Sequence, residues 1–202
     1  MSIIKIVITG GPCAKKSTAI RHIQATKAFT DMGYTVLCVP EAATELMTNG
    51  ITPKSCNSLV DYQMRQLKFQ LDNERIFEAK ALEAKTDKIL ILCDRGTLDG
   101  KAYMPEKDFE DMLKKFNTNE TELLKNYDAV VHLVTTAKDA KEHYTLESNP
   151  ARSETIEQAI TLDDKILNVY KNHPHRYVIN NSDFEHKTQK LIAKISEILM
   201  DK

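Results

Sequence analysis

Apolar residues gather along this chain into five short runs with little polar alternation: Ile3 to Ile8, Thr35 to Val39, Lys88 to Cys93, Ala129 to Val134 and Tyr177 to Asn180. Short Val-, Ile- and Leu-rich runs of this kind predict strands buried on both faces of a sheet. Between them the apolar spacing turns helical, over Ser17 to Asp31, Ala42 to Thr48, Asn57 to Lys85, several segments between Leu98 and Asn126, Thr155 to Asn172, and Asp183 to Met200. In the last, Ser182 and Glu185 stand at capping-box spacing, which predicts a helix start at Ser182. Strand and helix in alternation predict an α/β fold, a doubly wound, mostly parallel five-stranded sheet flanked by helices. Such sheets bind ligands outside the carboxyl ends of their strands, so the strand ends are where chemistry is sought.

At 202 residues the chain fits one domain, and no linker, repeat or low-complexity stretch divides it. Its 28 basic and 29 acidic residues leave a formal charge of -1, which makes nucleic acid an unlikely partner because global attraction to a polyanion is missing. No run has the length and apolarity of a membrane span and no leader pattern precedes the first strand, so a cytoplasmic protein without membrane partners is expected. Cys13, Cys38, Cys56 and Cys93 show no metal spacing and read as reduced packing residues. His173-Pro174-His175 lacks acidic or thiol partners at ligand spacing and reads as a turn before the last strand.

The first strand runs into Gly10-Gly11-Pro12-Cys13-Ala14-Lys15-Lys16-Ser17-Thr18, which matches the phosphate-loop pattern GxxxxGK[ST] at Gly10, Lys16 and Ser17. In that arrangement successive backbone N–H groups and a helix start face phosphates, Lys16 reaches the outer ones, and Ser17 can bind Mg²⁺. Lys15 replaces the second glycine, where a positive φ would cost about 1–2 kcal/mol. Three readings follow: a tolerated loop with an extra cation, a site that binds without catalysing, and an engineered change.

The other strand ends add charge. Asp94 and Arg95 close the third run, and Asp94 suits either Mg²⁺ or the proton of an attacking hydroxyl, unless the two simply form an ion pair. Glu41, after the second run, is a candidate for sugar hydroxyls, or else a helix-start acid favoured by the macrodipole. The polar segment between residues 135 and 155 reads as a lid, with Arg152 placed to neutralise charge on a transferred phosphoryl group, or as a surface arginine. Gln63, Gln66, Gln70 and Glu74 form one stripe on the long third helix, either a reader of a base edge or a solvated face.

Ile8 to Cys13, Pro40 to Leu46, Cys93 to Gly96 with Asp99 and Tyr103, Ala151 to Glu154, and Asn180 to Phe184 together resemble one family. It is the family of AAA-labelled P-loop domains described as ATPases or kinases of NAD metabolism, similar to nicotinamide riboside and deoxynucleoside kinases. The resemblance spans nearly the whole chain and is most specific at the phosphate loop. It implies that Gly10 to Thr18 hold nucleotide, that Lys16, Asp94 and Arg152 act in catalysis, and that Ser17 and Asp94 hold Mg²⁺. It further implies acceptor contacts from Glu41, Gln70, Arg95, Asp99 and Tyr103, and puts Asn181 beside adenine.

Sequence reasoning thus expects an ATP- and Mg²⁺-dependent phosphotransferase acting on a small nucleoside-like or nucleotide-like acceptor. A nucleotide-binding regulatory module with weakened catalysis is the alternative that Lys15 motivates. An end-processing nucleic-acid kinase ranks last. A homodimer is compatible with the sequence.

Overall fold

A computed structural model describes residues 1–139, 155–180 and 183–202. Its sheet is five-stranded and wholly parallel, in the order β2-β3-β1-β4-β5. The strands are β1 (Ser2–Thr9), β2 (Thr35–Val39), β3 (Lys88–Asp94), β4 (Ala129–Leu133) and β5 (Arg176–Ile179). The helices are α1 (Lys16–Thr26), α2 (Ala42–Thr48), α3 (Leu59–Glu83), α4 (Glu106–Lys115), α5 (Glu120–Lys125), α6 (Thr136–Asp139), α7 (Ile156–Val169) and α8 (Phe184–Met200), with a 3₁₀ turn over Asp99–Tyr103.

Two apolar layers explain the winding. Ile4, Ile6 and Ile8 of β1 pack with Ile20 and Ile23 of α1 and with Leu191 and Ile195 of α8. Val7, with Ile89 and Ile91 of β3, packs on the opposite face against Leu67 of α3 and Phe109 and Met112 of α4. Successive residues of a strand point to opposite faces, so a continuous apolar run is what a strand covered on both sides requires. That holds for β1, β3 and β4. The edge strands depart from the expectation of double-sided burial: β2 is half-buried over Thr35 to Cys38, and Val178 of β5 is exposed.

The cap of α8 also differs. Asp183, not Ser182, takes the cap position, its side chain accepting from the N–H of His186. A capping box does exist, at the start of α7, where Thr155 and Gln158 bond reciprocally.

The strand order decides where a ligand can enter. From β1 the chain crosses to β2 on one side, and from β3 it crosses back over β1 to β4, so β1 and β3 send their connections in opposite directions. A crevice therefore opens outside their carboxyl ends. Among the described residues no helix is long and apolar enough to cross a membrane.

Candidate nucleotide-binding site

The loop after β1 is shaped by what surrounds it. Gly10 has φ +142, and a Cβ there would lie 2.1 Å from the carbonyl oxygen of Leu133, so only glycine fits. Gly11 is packed as tightly, for its Cβ would stand 2.7 Å from Cβ of Asp163. Cys13 and Lys15 then adopt left-handed conformations, at φ 60 and φ 63, before α1 begins at Lys16. Lys15 thus takes the backbone conformation that the pattern reserves for glycine, and its half-buried side chain lines the cleft.

The first intrahelical acceptor of α1 is the carbonyl of Lys15, bonded by the N–H of Ala19 at 3.0 Å. The N–H groups of Lys15, Lys16, Ser17 and Thr18 have no acceptor among the described residues. Unspent donors at a helix start form an anion site. Lys16 folds back on the loop, its ammonium donating to the carbonyls of Gly10 at 2.9 Å and Gly11 at 3.0 Å. Burial, with Arg95 adding to it, pushes this ammonium down to about 8 against the attraction of Glu41, Asp94 and Asp99.

Asp94 ends β3 in register with Ile8, one position before the last residue of β1. It is buried, the Ser17 side chain stands near enough to favour its ionised form, and Oδ1 has no partner among the described residues. Burial and the charge of Glu41 raise its pKa, and Lys16 opposes them. A buried carboxylate oxygen without a donor, next to a hydroxyl, is the hard-oxygen set that Mg²⁺ takes, so these residues fit the cation.

Arg95 follows at φ 73 and joins three elements. Its Nε donates to Glu41 Oε1 at 2.5 Å, and its Nη1 to Asp99 Oδ2 at 3.2 Å and to the Gly10 carbonyl at 3.4 Å. The ion-pair reading of Asp94 with Arg95 does not describe this geometry, because Arg95 pairs with Glu41 and Asp99. Asp99 is itself buried and saturated, accepting from the hydroxyls of Thr9 and Tyr170 as well. It can hold Arg95 in place but offers nothing to open solvent. Tyr103 lies half-buried at the end of the 3₁₀ turn, near enough for its phenol to act on Arg95 electrostatically.

The glutamine stripe faces inward, which corrects the solvated alternative. Gln63, Gln70 and Glu74 are buried, and Glu74 accepts from Lys5 at 3.0 Å, from Tyr127 at 2.8 Å and from Gln70 at 2.8 Å. Gln70 Nε2 also approaches the carbonyl of Arg95 at 3.3 Å. Both partners can only accept, so the amide nitrogen must face them and the amide oxygen is left over. Gln63, Gln66, Gln70 and Arg95 border a narrow crevice beside Leu67 and Met112.

The main cleft is larger, at about 740 Å³, and runs from Lys15, Lys16 and Ser17 to Glu41 and Asp94. That volume falls in the range of about 300–1,000 Å³ typical of small-molecule sites. Cys38 also lines it, its thiol pushed up to about 12 by burial and by Asp94, while Cys93 is a core residue. The described residues hold no group of three or more His, Cys, Asp or Glu side chains set to bind a metal. His173 donates from Nε2 to the carbonyl of Tyr127 at 3.0 Å, in the turn before β5. Arg152 and Asn181 lie outside the described residues, as does most of the segment read as a lid.

Sequence reasoning missed the residues behind the loop. Asp163 is completely buried on α7 and accepts from the N–H of Gly11 at 2.8 Å. Thr135 and Thr136 donate hydroxyl bonds to the carbonyls of Pro12, at 2.5 Å, and Cys13, at 3.1 Å. A signal existed: Ala159, Asp163 and Ile166 share one buried stripe of α7, and an acid on an apolar stripe needs a partner.

Comparison with known proteins agrees with this geometry. The model of a family described as an AAA domain, of the P-loop NTPase type, matches residues 5–187. No curated protein sequence matches the chain.

Proposed function

We propose, from the premise that this chain belongs to the AAA domain family, that it is an ATP- and Mg²⁺-dependent phosphotransferase for a small nucleoside-like or nucleotide-like acceptor. The observation that carries the reading is Asp94: buried, with no partner at Oδ1 among the described residues, in one cleft with Lys16, Ser17 and Glu41, and followed in sequence by Arg95, which pairs with Glu41. Acidic groups at the ends of two neighbouring strands, Glu41 and Asp94, both line the cleft and favour transfer to an acceptor over simple hydrolysis. Fold alone assigns no reaction, so the roles are argued from the site.

The free amides of Lys15 to Thr18 and the Lys16 ammonium would hold the triphosphate, and Ser17 with Asp94 would hold Mg²⁺. Mg²⁺ held by these residues would supply charge neutralisation for the phosphoryl group being transferred. The raised basicity of Asp94 also suits it to accept the proton of an attacking hydroxyl. Glu41 and the unspent Nη2 of Arg95 would meet the acceptor's hydroxyls, with Asp99 fixing Arg95 and Tyr103 flanking it. The leftover oxygen of Gln70 offers a hydrogen-bond acceptor to a base. Arg152 closing on the phosphoryl group and Asn181 beside adenine complete the proposal.

ADP release followed with a panel of nucleosides tests it, and release stimulated by one acceptor is the expected result. The strained backbone of Lys15 favours a second reading, a regulatory module that binds MgATP and turns over slowly. Tight Mg²⁺-dependent binding with no acceptor-stimulated release would select that reading instead.

A further inference from the structure

The back of the phosphate loop is gripped by groups that the proposed reaction does not use. Asp163 Oδ1 accepts from Gly11 N–H at 2.8 Å, across 152 positions of sequence, from Thr135 N–H at 3.3 Å, and faces Nε2 of His132 at 3.0 Å. Lys138 Nζ stands 2.8 Å from Oδ2, a charge contact without hydrogen-bond alignment, and also pairs with Asp164 at 2.7 Å. Burial would push this carboxyl up, but His132, Lys138 and the Gly11 amide hold it near 2, so it stays ionised. A fixed anion directly behind an anion-binding loop weakens that loop's field. Such a residue must return something larger, and what it touches is the loop's backbone.

Gly11 shows how close the support is. Any side chain at Gly11 would collide with Asp163, at 2.7 Å from its Cβ and 2.9 Å from its Oδ1. The two residues therefore meet through backbone N–H and carboxylate with nothing between. The Gly11 donor, which the loop pattern would assign to phosphate, is spent.

We propose that Asp163 is a positioning residue of the phosphate loop, and that the Gly11 amide is tied to it rather than to the phosphates. The grip on nucleotide then falls to the N–H groups of Lys15 to Thr18, presented at the right pitch because the loop is anchored at Gly11. The inference rests on the reading of this loop as a nucleotide cradle.

Amide hydrogen exchange on the whole chain, with and without MgATP, tests it. The Gly11 amide is expected to exchange slowly in the free protein and to change by less than about threefold on adding nucleotide, whereas the Lys16 and Ser17 amides slow by about tenfold or more. In parallel, Asp163→Ala should weaken MgATP binding by about tenfold or more, and Asp163→Asn, which keeps an acceptor oxygen, should stay within about threefold. A purely structural role would lower the melting temperature of both variants and leave the affinity of the folded protein unchanged. A Gly11 amide that exchanges fast, or slows only when nucleotide arrives, overturns the proposal, as does an Asp163→Ala protein that binds like the unaltered one. If Asp163→Ala does not fold, exchange in the unaltered chain decides alone. If the unaltered chain binds no nucleotide, the functional reading fails, while the free-state Gly11 rate still reads the Asp163 bond.

Discussion

The guanidinium of Arg95 meets the carboxylate of Glu41 at 2.5 Å, tying the end of β3 to the start of α2. Burial would raise the Glu41 carboxyl, but Arg95 and Lys16 overcome it and bring it to about 2. A carboxylate depressed in the folded state adds stability above its unfolded pKa, and that stability is lost as pH falls from about 4.5 to about 2. Glu41→Gln should therefore cost about 1–3 kcal/mol at pH 7 and narrow the gap between pH 7 and pH 3. Denaturant titrations at the two pH values read both effects, and an unchanged gap would remove the pair from the acid response.

Asp94 has the opposite sign. Its raised pKa means that the charged form is disfavoured by folding, so the ionised carboxylate costs stability above its unfolded pKa. Asp94→Asn should melt higher than the unaltered protein, by about 2–4 °C for each kcal/mol recovered. The same variant should lose about 10²–10⁴-fold in turnover, because the amide that replaces the carboxylate cannot take up the proton and carries no charge toward Mg²⁺. A variant that is more stable and equally active would take Asp94 out of the chemistry.

Lys16 carries a pH dependence of binding. With its ammonium lowered to about 8 in the free protein, the cation is deprotonated as pH rises past that value. MgATP affinity should hold from pH 6 to 7.5 and then fall by about tenfold per pH unit, since the bound state requires the proton. Calorimetric titrations at pH 7, 8 and 9 check the slope. A flat profile would mean that the phosphates do not meet Lys16.

Lys15 tests the cost of the loop's departure from its pattern. A non-glycine residue at φ 63 is strained by about 1–2 kcal/mol, which the unfolded-state entropy of glycine partly offsets. Lys15→Gly should gain about 0.5–1 kcal/mol of stability. The loop already has the left-handed turn, so MgATP affinity should stay within about tenfold, with any loss reflecting the missing cation. Denaturation and calorimetry on the two proteins measure each part.

The sheet could be read from the chain because β1 and β3 are covered on both faces, so their runs carry no polar interruptions that blur a boundary. The exception, Lys5 inside β1, is a buried charge answered by Glu74 from α3, a pairing 69 positions apart that local patterning cannot show. The edges were less legible because β2 and β5 have one unpaired side, where apolar runs are not fully buried. At the site, the phosphate loop, Asp94 and Glu41 were legible since each terminates a strand on the same edge. Asp163 was not, because its partner Gly11 lies at the other end of the chain and offers only a backbone N–H.

The measurement closest to the central claim is a calorimetric titration of ATP, with and without Mg²⁺, into the unaltered chain and into Lys16→Met. Saturable binding strengthened by Mg²⁺ and lost in Lys16→Met is the predicted result. No binding, or binding that Lys16→Met leaves intact, would contradict the assignment of this loop as the phosphate site.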